Sequence, residues 1–310
     1  MSGQKSAILL LAHGSPDSPA DVPEFMRYIT GGRPVPDSVI QEVAHRYLLI
    51  GKSPLTAITL DQAEGLKKKL GLPVYVGMRN WKPFIADTVK QMMADGVDQI
   101  VAICLAPQNS STSVGLYRKA LMEELKPGIG LQFVEAWHDH PLLVQAFAEK
   151  LEPLWRKASD EVGAPVPVIF TAHSVPMRTI QAGDPYEKQT KETARLVGAK
   201  VAGLGLELQY FAFQSQGMSG GPWLGPTVES AMLELKRQGH PGVVIAPIGF
   251  VCDHVEVLYD VDISFRQFAN EHGLKLWRPE SLNASPTFIA ALAKLAATEM
   301  ARAAGIVSLT

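Results

Sequence analysis

The sequence predicts an α/β protein in which one doubly wound domain, a parallel sheet flanked by helices, occurs twice. Three observations point to it. Short apolar runs alternate with longer amphipathic stretches, the pattern of buried parallel strands covered by helices on both faces. The strand end ILLLAHGSP at 8–16 recurs as VIFTAHSVP at 168–176, so an apolar run twice closes on Ala-His-X-X-Pro. The recurrence then extends in order. Second strands lead into the Pro-initiated segments RNWKPFIADTVKQM and WLGPTVESAMLEL, and third strands read IVAICLAPQNSS and VVIAPIGFVCDH.

The alternation places strands at 8–11, 74–77, 99–105 and 132–136, then at 168–171, 209–212, 243–247 and 275–277. Helices fall between them. The segment 59–70 has Asp61 near its start, and 83–95 presents Phe84, Ile85, Val89, Met92 and Met93 as a 3.6-residue stripe toward a core. The polar, Pro/Gly-containing KASDEVGAPVP sets the boundary near 150–165, giving domains 1–155 and 156–310. The alanine-rich stretch 285–305 opens on Ser-Pro and reads as a closing helix, assigned with the second domain.

With 310 residues there is room for two ordinary cores. Charged residues make up 19% and the net charge is −2, so no polybasic surface argues for nucleic acid and no acidic tail for disorder. A small molecule or a protein is the expected partner. Cys104 and Cys252 each lie in an apolar strand-like run, which fits buried thiols of a reducing compartment, and so a cytoplasmic protein, better than a disulfide or metal cluster. The apolar run near residue 8 is too short for a signal segment. No stretch of about 18 apolar residues offers a transmembrane segment.

Ligands of open α/β sheets collect at the carboxyl ends of the strands, so His13 and His173 are better placed for chemistry than the other histidines. By the repeat they close corresponding strands and are expected to face a shared cleft. A second constellation is GFVCDHVEVLYDVDI at 249–263, where Asp253, Glu256, Asp260 and Asp262 follow an apolar strand. Glu256 and Asp260 are four apart, so a helix would put both carboxylates on one face as a strip of oxygen ligands. The neighbours Val255, Val257, Leu258 and Tyr259 predict burial around Glu256, and a buried carboxylate needs a partner or a metal. WHDHP at 137–141 imitates a zinc motif, but His138 and His140 are too close together and have no further ligands at zinc spacing. No Walker phosphate loop, GxGxxG after a strand, GxSxG elbow or HExxH occurs, which removes the common nucleotide, hydride, hydrolase and zincin readings.

TAHSVP, SQGMSGGPWLGP and GFVCDHVEVLYD, with IGKSPL at 50–55 and LAPQNSSTSVGLY at 105–117, resemble the ferrochelatases, which insert ferrous iron into a porphyrin. The motifs occur in order over almost the whole chain. The resemblance implies two similar Rossmann-like domains with the porphyrin in the cleft between them, and the chain looks like the compact bacterial forms that act on coproporphyrin III. It lacks the C-terminal cysteine cluster that holds an iron–sulfur centre in other members, so ferrous iron as substrate is the only metal implied. The family pattern assigns His173 and Glu256 as the metal-inserting pair, with Asp260 a weaker metal ligand. Arg46, Tyr47, Ser53 and Tyr117 resemble positions that bind porphyrin propionates.

Three departures stand out. His13 occupies the place where the coproporphyrin enzymes commonly have tyrosine. Thr30 and Gly31 stand where relatives often have arginine, leaving Arg33 as the nearest cation. Ser264 stands where an acid often lies.

The chemistry explains the residue types. Two pyrrole N–H protons must leave as the metal enters, so a base is needed at the porphyrin face together with a ligand that strips water from iron. Neutral imidazole and carboxylate meet both needs. Other readings stay open at this level: protoporphyrin IX as the substrate, a cobalt or nickel chelatase for another tetrapyrrole, since LAHGS also resembles the small cobalt chelatases, or a tetrapyrrole carrier without catalysis. The chain is expected to act as a monomer. Hand-off of the product to downstream haem enzymes is left open.

Overall fold

The structure, a computed structural model, describes residues 5–217 and 220–305; Met218 and Ser219 of the SQGMSGGPWLGP loop lie outside the described residues. Its strands are β1 (Ser6–Ala12), β2 (Val74–Met78), β3 (Gln99–Cys104), β4 (Gly130–Val134), β5 (Val168–His173), β6 (Gln209–Gln214), β7 (Gly242–Pro247) and β8 (Lys275–Trp277). They form two four-stranded parallel sheets, ordered β2-β1-β3-β4 and β6-β5-β7-β8. The two orders are one topology written twice, as the recurring motifs require. The turns after the second strands match as well: Met78 N donates to Pro83 O at 2.7 Å, and Phe213 N to Pro226 O at 2.8 Å.

In each sheet the strand bearing the Ala-His motif is interior, which explains its unbroken apolar run. Ala7 through Leu11 are all sealed from solvent, because helices cover both faces and no position can be polar. Leu9 and Leu11 pack with Ile85, Val89 and Met92 on one side of the first sheet. Ile169, Val243 and Ile245 do the same with Val228, Met232 and Leu235 in the second. At the end of β1, Gly14 has φ +87°, and a Cβ there would lie 2.7 Å from the Trp81 backbone nitrogen. Only glycine fits that turn.

The chain divides into two units, but not at the expected place. One comprises residues through Ala106, Ser113–Trp137 and Asn283 onward; the other comprises Pro107–Thr112 and His138–Leu282. The expected boundary at 150–165 falls across helix Pro141–Val162, which ends at Gly163 with φ +77°. The polar residues of KASDEV are the helix's solvent side and Gly163 is its left-handed cap, so a linker-like composition came from a helix end. Pro107–Thr112 is tied into the second unit. There Gln108 Nε2 donates to Thr193 Oγ1 (3.0 Å) and Ile248 O (3.2 Å), and Ser111 donates to Asp184.

The closing helix is present as Pro286–Ala303, but it belongs to the first unit and not the second. Phe288, Ile289 and Leu292 are its buried face. Phe288 stacks on Trp137, and Ile289 lies against Gly65 of helix Leu55–Leu70, where the missing side chain makes room. That helix starts earlier than the expected residue 59, because Pro54 and the Ser53 hydroxyl, which accepts from Leu55 N at 3.5 Å, supply the start signal before Asp61.

Candidate active site

In the second unit His173 is the last residue of β5 and Glu256 lies in the one-turn helix Val255–Leu258 after β7, and the sheet brings them together. His173 Nε2 is 3.5 Å from Glu256 Oε1, with both side chains about one-third exposed. The His173 Nδ1–H donates to the carbonyl of Ser174, which can only accept, so in the neutral ring the Nε2 lone pair points at the carboxylate. Beneath the pair Tyr186 is buried. Burial pushes its phenol up, and the nearby Glu256 and Asp184 charges push the same way, so it stays protonated.

A residue the sequence reading passed over completes the arrangement. His254 Nε2 lies 3.4 Å from Glu256 Oε2, and its Nδ1–H donates to Cys252 O at 3.0 Å. Burial alone would lower the His254 imidazole. The hydrogen bond and charge of Glu256, the Cys252 carbonyl and Asp260 outweigh it, and the net shift is upward. One carboxylate therefore faces an imidazole on each of its oxygens. The His-X-Glu spacing in DHVE was the available signal.

The four acids of the GFVCDHVEVLYDVDI constellation are sorted into two sets. Glu256 and Asp260 remain near the histidines, whereas Arg278 claims the other two. Its Nε and Nη2 bind Asp262 at 2.8 and 2.6 Å, its Nη1 binds Asp253 at 3.1 Å, and Ser281 Oγ adds a bond to Asp253 at 2.8 Å. Burial opposes the Arg278 charge, but the two carboxylates prevail and raise the guanidinium above its usual range. Nor does the segment continue as an α-helix. Asp260–Phe265 is a π-helix, with Ser264 N donating to Tyr259 O at 2.9 Å, and the wider turn changes which side chains share a face.

Asp260 is consequently the buried acid, at 8% exposure, while Glu256 is the more open one, the reverse of what its apolar neighbours implied. Only Val257 of those neighbours is fully buried. Among the described residues no three His, Cys, Asp or Glu side chains form a group that could hold a metal ion.

In the first unit His13 is exposed beyond β1. Its Nδ1–H donates to Gly14 O, and its Nε2 takes the amide N–H of Asn80, both at 3.0 Å. Phe25 meets the His13 ring edge-on, and Tyr47 and Trp81 pack on Phe25. The Tyr47 hydroxyl is buried against Ser15 at 3.1 Å. Arg46 pairs with Glu42 one helical turn away, Ser53 is buried, and exposed Arg33 donates to Thr30 O at 2.9 Å. Tyr117 is buried with the Arg79 guanidinium 5.9 Å from its ring centre. Arg79 is a further missed residue. Burial lowers it from the usual range, Tyr117 opposes this, and its Nε lacks a hydrogen-bond partner among the described residues.

WHDHP proves to be a helix start. His140 caps helix Pro141–Val162 by accepting from Leu142 N at 3.2 Å, and the His138 carbonyl accepts from Thr193. Cys104 and Cys252 are buried free thiols; burial raises both, Cys252 to about 12 with help from Asp253. No helix among the described residues is long and apolar enough to cross a membrane.

Two parallel units of one topology, with an imidazole–carboxylate pair at a strand end, define a chelatase fold, and Bacillus subtilis SirB, solved with Fe3+, shares it at a TM-score of 0.59 and 13% identity over 97% of this chain and 98% of that one. Residues 5–300 match the ferrochelatase family, and the chain belongs to it. A ferrochelatase of Acidobacterium capsulatum is 55% identical over 96% of both chains, and a coproporphyrin III ferrochelatase of a Geobacillus strain is 36% identical over 94% of this chain and 97% of its own. The protein is thus an enzyme, a lyase that inserts ferrous iron into a porphyrin.

The split of the acids gives a test independent of turnover. Arg278→Met removes the guanidinium that Asp253 and Asp262 share, leaving Asp262 the longer Arg266 contact at 3.7 Å, and is expected to cost about 2–3 kcal/mol of stability in urea unfolding. Adding Asp262→Asn should recover roughly 1 kcal/mol of it. A loss below about 0.5 kcal/mol, the level of an exposed ion pair, would show that Arg278 does not hold this segment.

Proposed function

We propose that the porphyrin is coproporphyrin III, metallated to coproheme in the cytoplasm. The observation that supports this most is the 36% identity, over nearly the whole chain, to a protein named for that substrate. Arg46, Ser53 and Tyr117 supply a guanidinium and two hydroxyls, the donors a carboxylate needs, with Tyr47 and Arg33 near them in sequence. The Arg46–Glu42 pair is partly exposed and worth only a few tenths of a kcal/mol, so a propionate can replace Glu42 at little cost.

His173 accepts a pyrrole proton at Nε2, the nitrogen left with a lone pair by the Ser174 bond. Glu256 receives the incoming cation and helps draw off its water. The balance is simple: porphyrin and ferrous iron give metalloporphyrin and two protons, and the imidazole and carboxylate are the first stations for those protons. His13 is the proposed ligand of the product iron through Nε2, which requires exchanging the Asn80 amide for the metal.

Substrate choice is tested by steady-state insertion of ferrous iron under anaerobic conditions. Coproporphyrin III bears four propionates and protoporphyrin two, so Arg46→Ala should raise KM several-fold more for the first. Equal effects on both would remove the clamp. For His13, the product complex is expected to show a nitrogen-ligated haem spectrum that His13→Tyr shifts toward an oxygen-ligated, high-spin form with little loss of turnover. An unchanged product spectrum in His13→Ala would leave His13 as a loop residue only.

A further inference from the structure

The end of β6 contains a backbone conformation that its sequence does not favour. Among the described residues only two that are not glycine have positive φ, Ser215 at 60° and Asn283 at 46°. Asparagine tolerates the left-handed region; serine is poorly suited to it, and a glycine would sit there without penalty. A strained residue of this kind persists where its side chain is used.

The Ser215 hydroxyl donates to Asp260 Oδ2. The residue before it is equally committed. Gln214 is 2% exposed, its Oε1 accepts from Thr171 Oγ1 at 2.7 Å, and its Nε2 donates to the main-chain carbonyl of Glu256 at 2.7 Å. Its own carbonyl accepts from Ser174 N at 2.7 Å, next to His173. Two consecutive residues thus hold the Glu256 backbone, the Asp260 carboxylate and the strand end that presents His173.

We infer that Gln214 and Ser215 are positioning residues of the insertion site: they fix both ends of the Glu256–Asp260 segment relative to His173, and Ser215 adopts its left-handed backbone so that its hydroxyl reaches Asp260. Neither residue need touch the porphyrin. Their effect falls on the acids that handle iron and its protons, and it rests on the reading of His173 and Glu256 given above.

Two substitutions at Ser215 pull stability and activity in opposite directions. Ser215→Gly suits the backbone but deletes the hydroxyl. Its melting temperature should equal or exceed that of the parent, while turnover falls about tenfold or more, KM for ferrous iron rises, and the coproporphyrin dissociation constant, read by fluorescence quenching, stays within roughly twofold. Ser215→Thr keeps the hydroxyl on a β-branched residue disfavoured at positive φ. It should melt a few degrees lower yet retain most of the turnover. A merely structural serine would make activity follow melting temperature in both variants. Wild-type turnover and iron KM in Ser215→Gly would overturn the inference even if Ser215→Thr did not fold, while leaving the reading of the site intact. Failure of the parent enzyme to insert iron into either porphyrin would overturn both.

Discussion

Everything at the site turns on a single carboxylate held between two imidazoles. Glu256 offers one oxygen to His173 and the other to His254, at 3.5 and 3.4 Å, and both rings commit their Nδ1–H to a main-chain carbonyl. Each Nε2 is therefore aimed at Glu256. A neutral ring in that pose sets lone pair against lone pair, so the contact is favourable only with a cation or a proton in it. At His254 burial opposes the proton, but the Glu256 carboxylate, the Cys252 carbonyl and Asp260 together favour it. The two rings also differ in exposure: the His173 side chain is about one-third exposed, whereas that of His254 is more enclosed.

Such an arrangement needs quiet surroundings. Four acids within ten residues would repel one another and draw protons or metal to the wrong place; Arg278 removes two of them from the count by binding both. The π-helical turn then lets Asp260 point inward to Ser215 while Glu256 stays open. Beneath them β5, β6 and β7 are rigid parallel strands whose buried hydroxyl–amide contact, Thr171 to Gln214, ties the His173 strand to the Glu256 main chain. The fold supplies a fixed floor, and the loops at its carboxyl edge supply the chemistry.

Much of this was legible from the sequence, for a physical reason. Parallel strands buried on both faces must be apolar throughout, so all eight could be placed within about two residues, and a duplicated topology leaves duplicated motifs. His173 and Glu256 stood out because one closes such a strand and the other lies in the segment that follows one. What depended on tertiary contact was not. KASDEV looked like a linker because an amphipathic helix end is polar, and nothing local revealed that the closing helix packs on Leu55–Leu70 of the first unit. Nothing local to the acids revealed that Arg278 would bind Asp253 and Asp262. Ser215 gave no signal at all, since a positive φ is a property of the folded turn.

The proposed insertion chemistry depends on the His173–Glu256 contact, and the direct measurement is the single-turnover rate of ferrous iron insertion into coproporphyrin III by Glu256→Gln and His173→Ala, with porphyrin binding followed in the same samples. Glutamine keeps the shape of Glu256 and removes its charge. Both variants are expected to lose insertion by on the order of a hundredfold or more, while porphyrin affinity stays within about tenfold. Near-parental insertion by Glu256→Gln, or weakened porphyrin binding with the insertion rate intact in His173→Ala, would contradict it.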